Sequence, residues 1–138
     1  MFTSTHYVCQ GINHDGDEFT GEFTVQITQN VSAQSFQYTA VRNSDAAVVH
    51  RENGFIGSDD QGKFMLVNHM EELPCVTVHV LVKQVADSYV FEYEGTGSLD
   101  GFKSELVFEF NDGGFRYLHR WAMGGDVSDE SWCLLKPV

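Results

Sequence analysis

The sequence predicts an all-β fold, a single antiparallel up-and-down barrel or sandwich with at most short helices. Apolar and polar residues alternate with a period of two through nearly every segment from residue 19 onward. Short polar or glycine-containing turns separate these segments, and no long amphipathic helix lies between them. Because parallel strands need long crossovers, consecutive strands should pair as antiparallel neighbours.

The first predicted strand shows the alternation most clearly. Phe19, Phe23 and Ile27 share its apolar face, and Thr20 and Thr28 lie on its polar face. Successive side chains of a strand point to opposite faces, so this pattern indicates a strand with one buried side. About nine segments share the pattern, and they cover residues 19–28, 35–40, 48–56, 64–68, 76–82, 89–93, 102–110, 115–123 and 132–135.

Three segments need a separate comment. In the fifth predicted strand, a row of valines occupies the face opposite Thr77, His79 and Lys83. Residues 69–74 break the alternation and are compatible with a helical turn. The segment before residue 19 is compatible with a short helix or strand that plugs one end of the barrel.

Length and charge limit the function classes. The 138 residues predict one domain, residues 1–138, and an array of this many strands can remove its exposed edges by closing into a barrel. The net charge of −12, without any basic run, argues against nucleic-acid binding and against an anionic membrane surface. The acidity favours solubility, or alternatively the steering of a cationic ligand.

The cysteines and the N-terminus predict a reducing, cytoplasmic location. Cys9, Cys75 and Cys133 are an odd, scattered set without a CxxC pair, so we expect neither a disulfide framework nor a structural zinc site. All three are expected to be packed as small hydrophobic residues. The N-terminus lacks the pattern of a secretory signal, and no apolar run reaches the length of a membrane span.

The residues that can carry chemistry are few. His119 lies in register with Phe115, Tyr117 and Trp121 on an apolar strand face, where a histidine is a hydrogen-bonded core residue, a metal ligand or a general base. Each of four aromatic residues lies in an apolar row with a period of two and is predicted to be buried: Phe91, Phe108, Tyr117 and Trp121.

The third predicted strand has less regular faces. It is compatible with an exposed edge strand, or with a polar cluster of Arg42, His50, Glu52 and His119 inside the barrel. In the second interpretation a buried Arg42 needs a partner, and Glu52 is the expected one. The acidic loop 13–18 lacks the spacing of a calcium loop, and no metal site is expected there or elsewhere.

The strand count and the meander resemble the lipocalin-like, or calycin, β-barrels, in particular their small intracellular bacterial members. The resemblance covers residues 19–135, and Gly21 and Phe23 lie at its glycine–aromatic signature, with Phe23 in place of the usual Trp. It implies a cup that holds a small apolar molecule. The nitrobindin-like branch implies haem bound through a late histidine, and His119 is the only late histidine here.

We therefore expect the barrel to bind a small hydrophobic or amphipathic ligand, as a monomer or homodimer and without an assigned cofactor. Two alternatives stay open. One is a barrel enzyme of isomerase, decarboxylase or cyclase type that uses His119 and Glu52 as acid or base, and the other is an interaction module with a filled core. The expected ligand-binding residues come from the inward rows and the polar cluster: His119, Tyr117, Trp121, Arg42, His50, Glu52 and Tyr93.

Overall fold

The structure, a computed structural model, describes residues 1–27 and 33–138, and this part of the chain forms ten strands that close into one antiparallel barrel. Thr28, the last residue of the first predicted strand, lies outside the described residues. The strands are β1 (His6–Ile12), β2 (Glu18–Ile27), β3 (Ala33–Arg42), β4 (Val48–Ser58), β5 (Phe64–Met70), β6 (Thr77–Val85), β7 (Ser88–Glu94), β8 (Phe102–Asn111), β9 (Gly114–Met123) and β10 (Asp129–Pro137).

Each strand pairs with its neighbour in sequence, and β1 pairs with β10 to close the barrel. The all-β antiparallel prediction is confirmed, with ten strands where the sequence indicated about nine. The additional strand is β1, from the segment before residue 19. Tyr7 faces Phe23 on one side and Pro137 on the other, so β1 is part of the wall and not a plug.

One end of the barrel is filled with aromatic side chains. Phe2, which precedes β1, is buried against Phe23, Phe108, Phe110 and Phe115, with ring centroids 5.3 to 5.9 Å away. The N-terminus therefore does contribute a plug, but through this one side chain. These rings remove much apolar surface from water, and the edge-to-face contacts among them add to that stabilisation.

The predicted core holds except for Trp121. Phe91, Phe108 and Tyr117 are buried, and the rings of Phe108 and Tyr117 stack at 4.4 Å. Trp121 is only half-buried, because β9 carries it beyond the packed core to the open end of the barrel. A side chain that points into the barrel is therefore buried only at the end where the barrel is filled.

The two faces of β6 contradict the usual rule that the apolar face is the inner one. Thr77 and His79 are 0% exposed inside the barrel, whereas Val78 and Val82, and Val76 just before the strand, are exposed. The alternation was identified correctly, but here the polar face is buried. His79 and Thr77 find hydrogen-bond partners inside, which removes the penalty that otherwise keeps polar groups out of a core.

No helical turn forms at residues 69–74. Strand β5 continues to Met70, and a tight turn follows in which the Leu73 N–H donates to the Met70 carbonyl at 3.0 Å. Helical structure in the described residues is restricted to one 3₁₀ turn, Gly97–Leu99. Within residues 1–27 and 33–138 no helix has the length and apolarity to cross a lipid bilayer.

The cysteines are free in the structure, and two of the three are buried as predicted. The Tyr38 hydroxyl lies 3.3 Å from Cys133 Sγ and 4.0 Å from Cys9 Sγ. A Cβ at Gly21 would overlap Cys9 Sγ, so this close contact requires glycine. Cys75 corrects the prediction, because it is exposed in the turn after β5.

The aromatic core gives a direct test of this packing. Replacing Phe108, which is 0% exposed, by Ala should lower the free energy of unfolding by about 3–5 kcal/mol, because the rings around it cannot fill the space. Phe55 is the matched control: it points outward from β4 and is 59% exposed. Phe55→Ala should change stability by less than about 1 kcal/mol in the same urea titration. Equal losses for the two variants would mean that the inner and outer faces are assigned wrongly.

Candidate functional site

The end of the barrel opposite Phe2 opens into a cavity of about 550 Å³, which we call the cup. Strand β8 runs from the cup at Phe102 to the aromatic end at Phe110. The walls of the cup are mainly apolar and include both tryptophans of the chain. Its main apolar lining residues are Phe19, Val49, Met70, Phe102, Trp121 and Trp132.

The polar residues of the cup converge from opposite walls. His50 comes from β4 and His119 from β9, strands that are not neighbours in the sheet, yet their ring centroids are 5.0 Å apart. Glu52 follows His50 by two residues, so the period of a strand places both on the inner face. Glu52 is 1% exposed and lies behind the two imidazoles. We call His50, Glu52 and His119 the Glu52 cluster.

Each carboxylate oxygen of Glu52 faces a different imidazole. His50 Nε2 lies 3.6 Å from Oε2, and His119 Nε2 lies 3.7 Å from Oε1. Both distances are longer than a hydrogen bond, and His50 Nε2, His119 Nε2 and Glu52 Oε1 are buried without a hydrogen-bond partner. A small space between three polar atoms is thus enclosed by protein.

Neighbouring residues orient the cluster. Asn68 on β5 donates a hydrogen bond from Nδ2 to Glu52 Oε2 at 2.8 Å. On the other side, His50 Nδ1 pairs with Glu72 Oε2 at 3.0 Å, which directs Nε2 towards Glu52. Glu72 is half exposed at the rim of the cup, in the turn that follows β5. The polar contacts therefore link β4, β5 and β9 across the barrel.

The cluster carries opposite charges. Burial disfavours charged His50, but the carboxylate of Glu52 close to Nε2 and the hydrogen bond and charge of Glu72 outweigh burial and raise the pKa of His50 to about 10. Burial likewise disfavours ionised Glu52, yet the two imidazoles hold the pKa of Glu52 well below its usual range. At neutral pH the cluster holds a carboxylate beside an imidazolium.

A second polar group continues from Asn68 to β6 and β8. Thr77 Oγ1 donates to the Asn68 carbonyl at 3.4 Å and lies 3.4 Å from His79 Nδ1, so its oxygen accepts from the Nδ1–H. His79 Nε2 then accepts from Ser104 Oγ at 2.9 Å. Burial, with a smaller effect of a charge on His119, lowers the pKa of His79 to about 3. His79 is thus a neutral structural histidine.

The predicted site residues divide into two groups. His119, His50, Tyr117, Trp121 and Arg42 line the cup, and Glu52 lies directly behind its lining. The expected Arg42–Glu52 pair is wrong: Arg42 Nη1 lies 3.6 Å from Asp45 Oδ2 at the rim. Arg42 thus stays at the rim of the cup, where its terminal nitrogen pairs with the carboxylate of the turn after β3 while its Nε is buried.

Tyr93 also departs from the prediction. It does not line the cup, and its ring packs beside His79 and Phe102 at 5.4 and 6.4 Å. The sequence analysis missed Asn68, Glu72, His79 and Trp132. Both faces of β6 alternate with the same period of two, so the face with Thr77 and His79 could have been considered as the buried one. Glu72 lies in a turn, where periodicity carries no information.

The comparisons with known proteins support the fold alone. No family model matches this chain, and no curated protein matches it. Among solved structures it is similar to Rv2717c from M. tuberculosis, with a TM-score of 0.73, 12% identity, and coverage of 98% of this chain and 92% of that one. The barrel architecture is therefore shared, while membership of the lipocalin-like superfamily stays a prediction.

The lowered pKa of His79 predicts an acid-sensitive contribution to stability. Above pH 6.5 the histidine is neutral in both states; below it the unfolded chain gains a proton that the folded protein resists until about pH 3, so stability is lost as the pH falls. Between pH 7 and pH 5 this loss should be about 2 kcal/mol.

The measurement is the difference between wild type and His79→Gln, which keeps a polar group near Ser104 but does not titrate. Urea unfolding at pH 7 and pH 5 should show a larger decrease in stability for the wild type than for the variant. The same decrease in both proteins would show that His79 is not held neutral by its surroundings.

Proposed function

We propose that the protein binds a small amphipathic molecule in the cup. The observation that carries this proposal is the division of the barrel interior: one half is filled with aromatic rings, and the other is an apolar-walled cavity of about 550 Å³ with polar groups at its base. Small-molecule sites typically combine an apolar pocket of this size with a few convergent polar groups. A filled interaction module would have no such cavity.

The lining of the cup carries both charges: Arg42 and His50 are positive, and the carboxylates of Asp15, Asp17 and Glu72 are negative. The Nε of Arg42 is buried without a hydrogen-bond partner, and Arg42 lines the cup. His50 also lines it, and the nearby carboxylates keep it charged at neutral pH, but its ring nitrogens face Glu72 and Glu52 and not the ligand. The free Nε–H of Arg42 favours a ligand with an acceptor group, whose apolar body would pack on Trp121 and Trp132.

The same charges favour binding over acid–base catalysis. A general acid or base works best when its pKa lies near the working pH. The pKa of His50 is raised to about 10 and that of Glu52 is held far below neutrality, so neither exchanges a proton readily at pH 7. Glu52 also lies behind the lining and not on it.

The orientation of His119 does not favour haem. An axial histidine needs a ring nitrogen that is open to the iron, and Nε2 of His119 is buried and directed at Glu52 Oε1. The proposal therefore keeps the small amphipathic ligand that the sequence indicated and leaves haem out.

Intrinsic fluorescence offers a simple binding assay, because Trp121 and Trp132 are the only tryptophans and both line the cup. Titration with the amphipathic anion 1-anilinonaphthalene-8-sulfonate, in buffer with EDTA, should quench them at a stoichiometry of one. Arg42→Gln should weaken the binding about 5- to 30-fold, as expected when one charge-assisted hydrogen bond is lost.

Arg51→Gln is the matched control, since Arg51 lies on β4, the neighbour of the strand that ends at Arg42, but points outward and pairs with Glu71. It should bind the probe like the wild type. Near-UV circular dichroism should show that all three proteins are folded, because the probe also binds loosened states. An equal loss for both arginine variants, or no quenching of the tryptophans, would refute the proposed cavity binding.

A further inference from the structure

The Glu52 cluster has a feature that neither an ion pair nor the proposed ligand uses. Three side-chain atoms from two walls of the barrel, His50 Nε2, Glu52 Oε1 and His119 Nε2, are buried without a hydrogen-bond partner. Buried polar atoms normally have a partner, and leaving one without a partner is unfavourable. Three such atoms at one place indicate that something polar belongs between them.

We propose that His50, Glu52 and His119 bind one divalent transition-metal ion of the Zn²⁺ or Fe²⁺ class. One ligand atom from each residue lies within 4.8 Å of the others, and this is the only such group of three among the residues that the structure describes. Binding of the ion would displace the proton from His50 Nε2, and the proposed ligand is tested in EDTA without the ion, so the two proposals are tested separately.

The spacing fits an ion after a small adjustment. Ligands about 2.1 Å from a tetrahedral ion are about 3.4 Å from one another. His50 Nε2 lies 3.6 Å from Glu52 Oε2 and His119 Nε2 lies 3.7 Å from Glu52 Oε1, so each nitrogen is close to that spacing from a different oxygen. One ligand atom of each residue lies within 4.8 Å of the others, so the set closes around an ion by movement of the side chains. Direct hydrogen bonds from both imidazoles to Glu52 would need shorter distances than a shared ion does, and therefore a larger movement of each ring.

The surrounding contacts are those that support metal ligands. A ligating histidine usually gives its other N–H to a carboxylate, which fixes the ring and its tautomer. Glu72 Oε2 lies 3.0 Å from His50 Nδ1 and leaves Nε2 free for the ion. Asn68 in turn holds Glu52 Oε2 at 2.8 Å, so the carboxylate is oriented as well.

The donor set selects the class of ion. Two imidazoles and one carboxylate suit Zn²⁺, and the same set with open positions is typical of non-haem Fe²⁺. Ca²⁺ and Mg²⁺ require mostly oxygen ligands, which the cluster does not supply. His50 and His119 line the cup while Glu52 lies behind them, so the ion would lie between the two imidazoles and Glu52, beneath the base of the cup.

The test is a titration of the EDTA-treated, desalted full chain with Zn²⁺ by isothermal calorimetry, followed by Co²⁺ in the visible range. We expect one ion per chain with a dissociation constant of about 1 μM or tighter, and Co²⁺ absorption bands of a protein-bound ion. His119→Ala should weaken Zn²⁺ binding at least about 100-fold, more than the loss of an outer partner.

Two exposed glutamates keep the test decisive if cluster variants fold poorly. Glu72→Ala should weaken Zn²⁺ binding about 10- to 100-fold, because it removes the partner of His50 Nδ1. Glu71→Ala, one residue away, removes only a surface pair with Arg51 and should bind like the wild type. His6→Ala controls for a surface site, since His6 pairs with Glu22 at 2.8 Å on the outer wall.

The outcomes separate this proposal from the proposed function. Zn²⁺ binding that Glu72→Ala weakens and Glu71→Ala does not would support the metal centre, whether or not the organic probe binds. No binding at about 100 μM Zn²⁺, or binding that His119→Ala and Glu72→Ala leave unchanged, would overturn it. In that case the probe titration in EDTA still decides the cavity proposal.

Discussion

The interior of this barrel depends on one buried carboxylate. Glu52 is 1% exposed, and an ionised group in that position requires opposite charge and hydrogen-bond donors close by. Asn68 supplies a donor from β5, and His50 and His119 supply the facing imidazoles from β4 and β9. Removing one partner would leave an uncompensated buried charge, which typically costs several kcal/mol. The cluster therefore holds three separate parts of the wall in a fixed relation.

The position of Glu52 also explains why the barrel is filled at one end only. Towards the filled end, the rings of Phe108 and Tyr117 stack. The ring of Tyr117 also contacts that of His119, with 4.7 Å between the centroids, and so joins the aromatic core to the Glu52 cluster. Burial raises the pKa of Tyr117, and the charge of Glu52 raises it further, so its hydroxyl stays neutral. Beyond this layer the lining becomes mixed and the cavity opens. The boundary between the filled and open halves is thus a polar layer.

The sequence was sufficient for the architecture and for part of the site. Alternation predicts strands because each wall residue faces either the interior or solvent, and that condition holds around the whole barrel. It placed His119 on an inner face, and for His50 and Glu52 it left an exposed strand and an inner cluster open, of which the structure has the second. It was wrong for Trp121, and it did not say which face of β6 is buried, where Val78 is outside and His79 inside. Periodicity identifies two faces, but the partners available inside decide which is buried, and those partners come from distant strands.

Stability alone does not account for the polar layer. Replacing a buried ion pair by well-packed apolar residues of similar volume is often neutral or stabilising, so leucine and phenylalanine could have closed this barrel without desolvating a charge. Instead, a carboxylate and two imidazoles lie where the packed half ends, with His50 and His119 open to the cup on one side. The outer carboxylate of Glu72 fixes the His50 ring through a half-exposed contact that adds little to the core. This arrangement directs the nitrogens of two imidazoles and an oxygen of one carboxylate towards the same small space. Binding of a polar group or an ion in that space would explain why the barrel keeps a buried charge there.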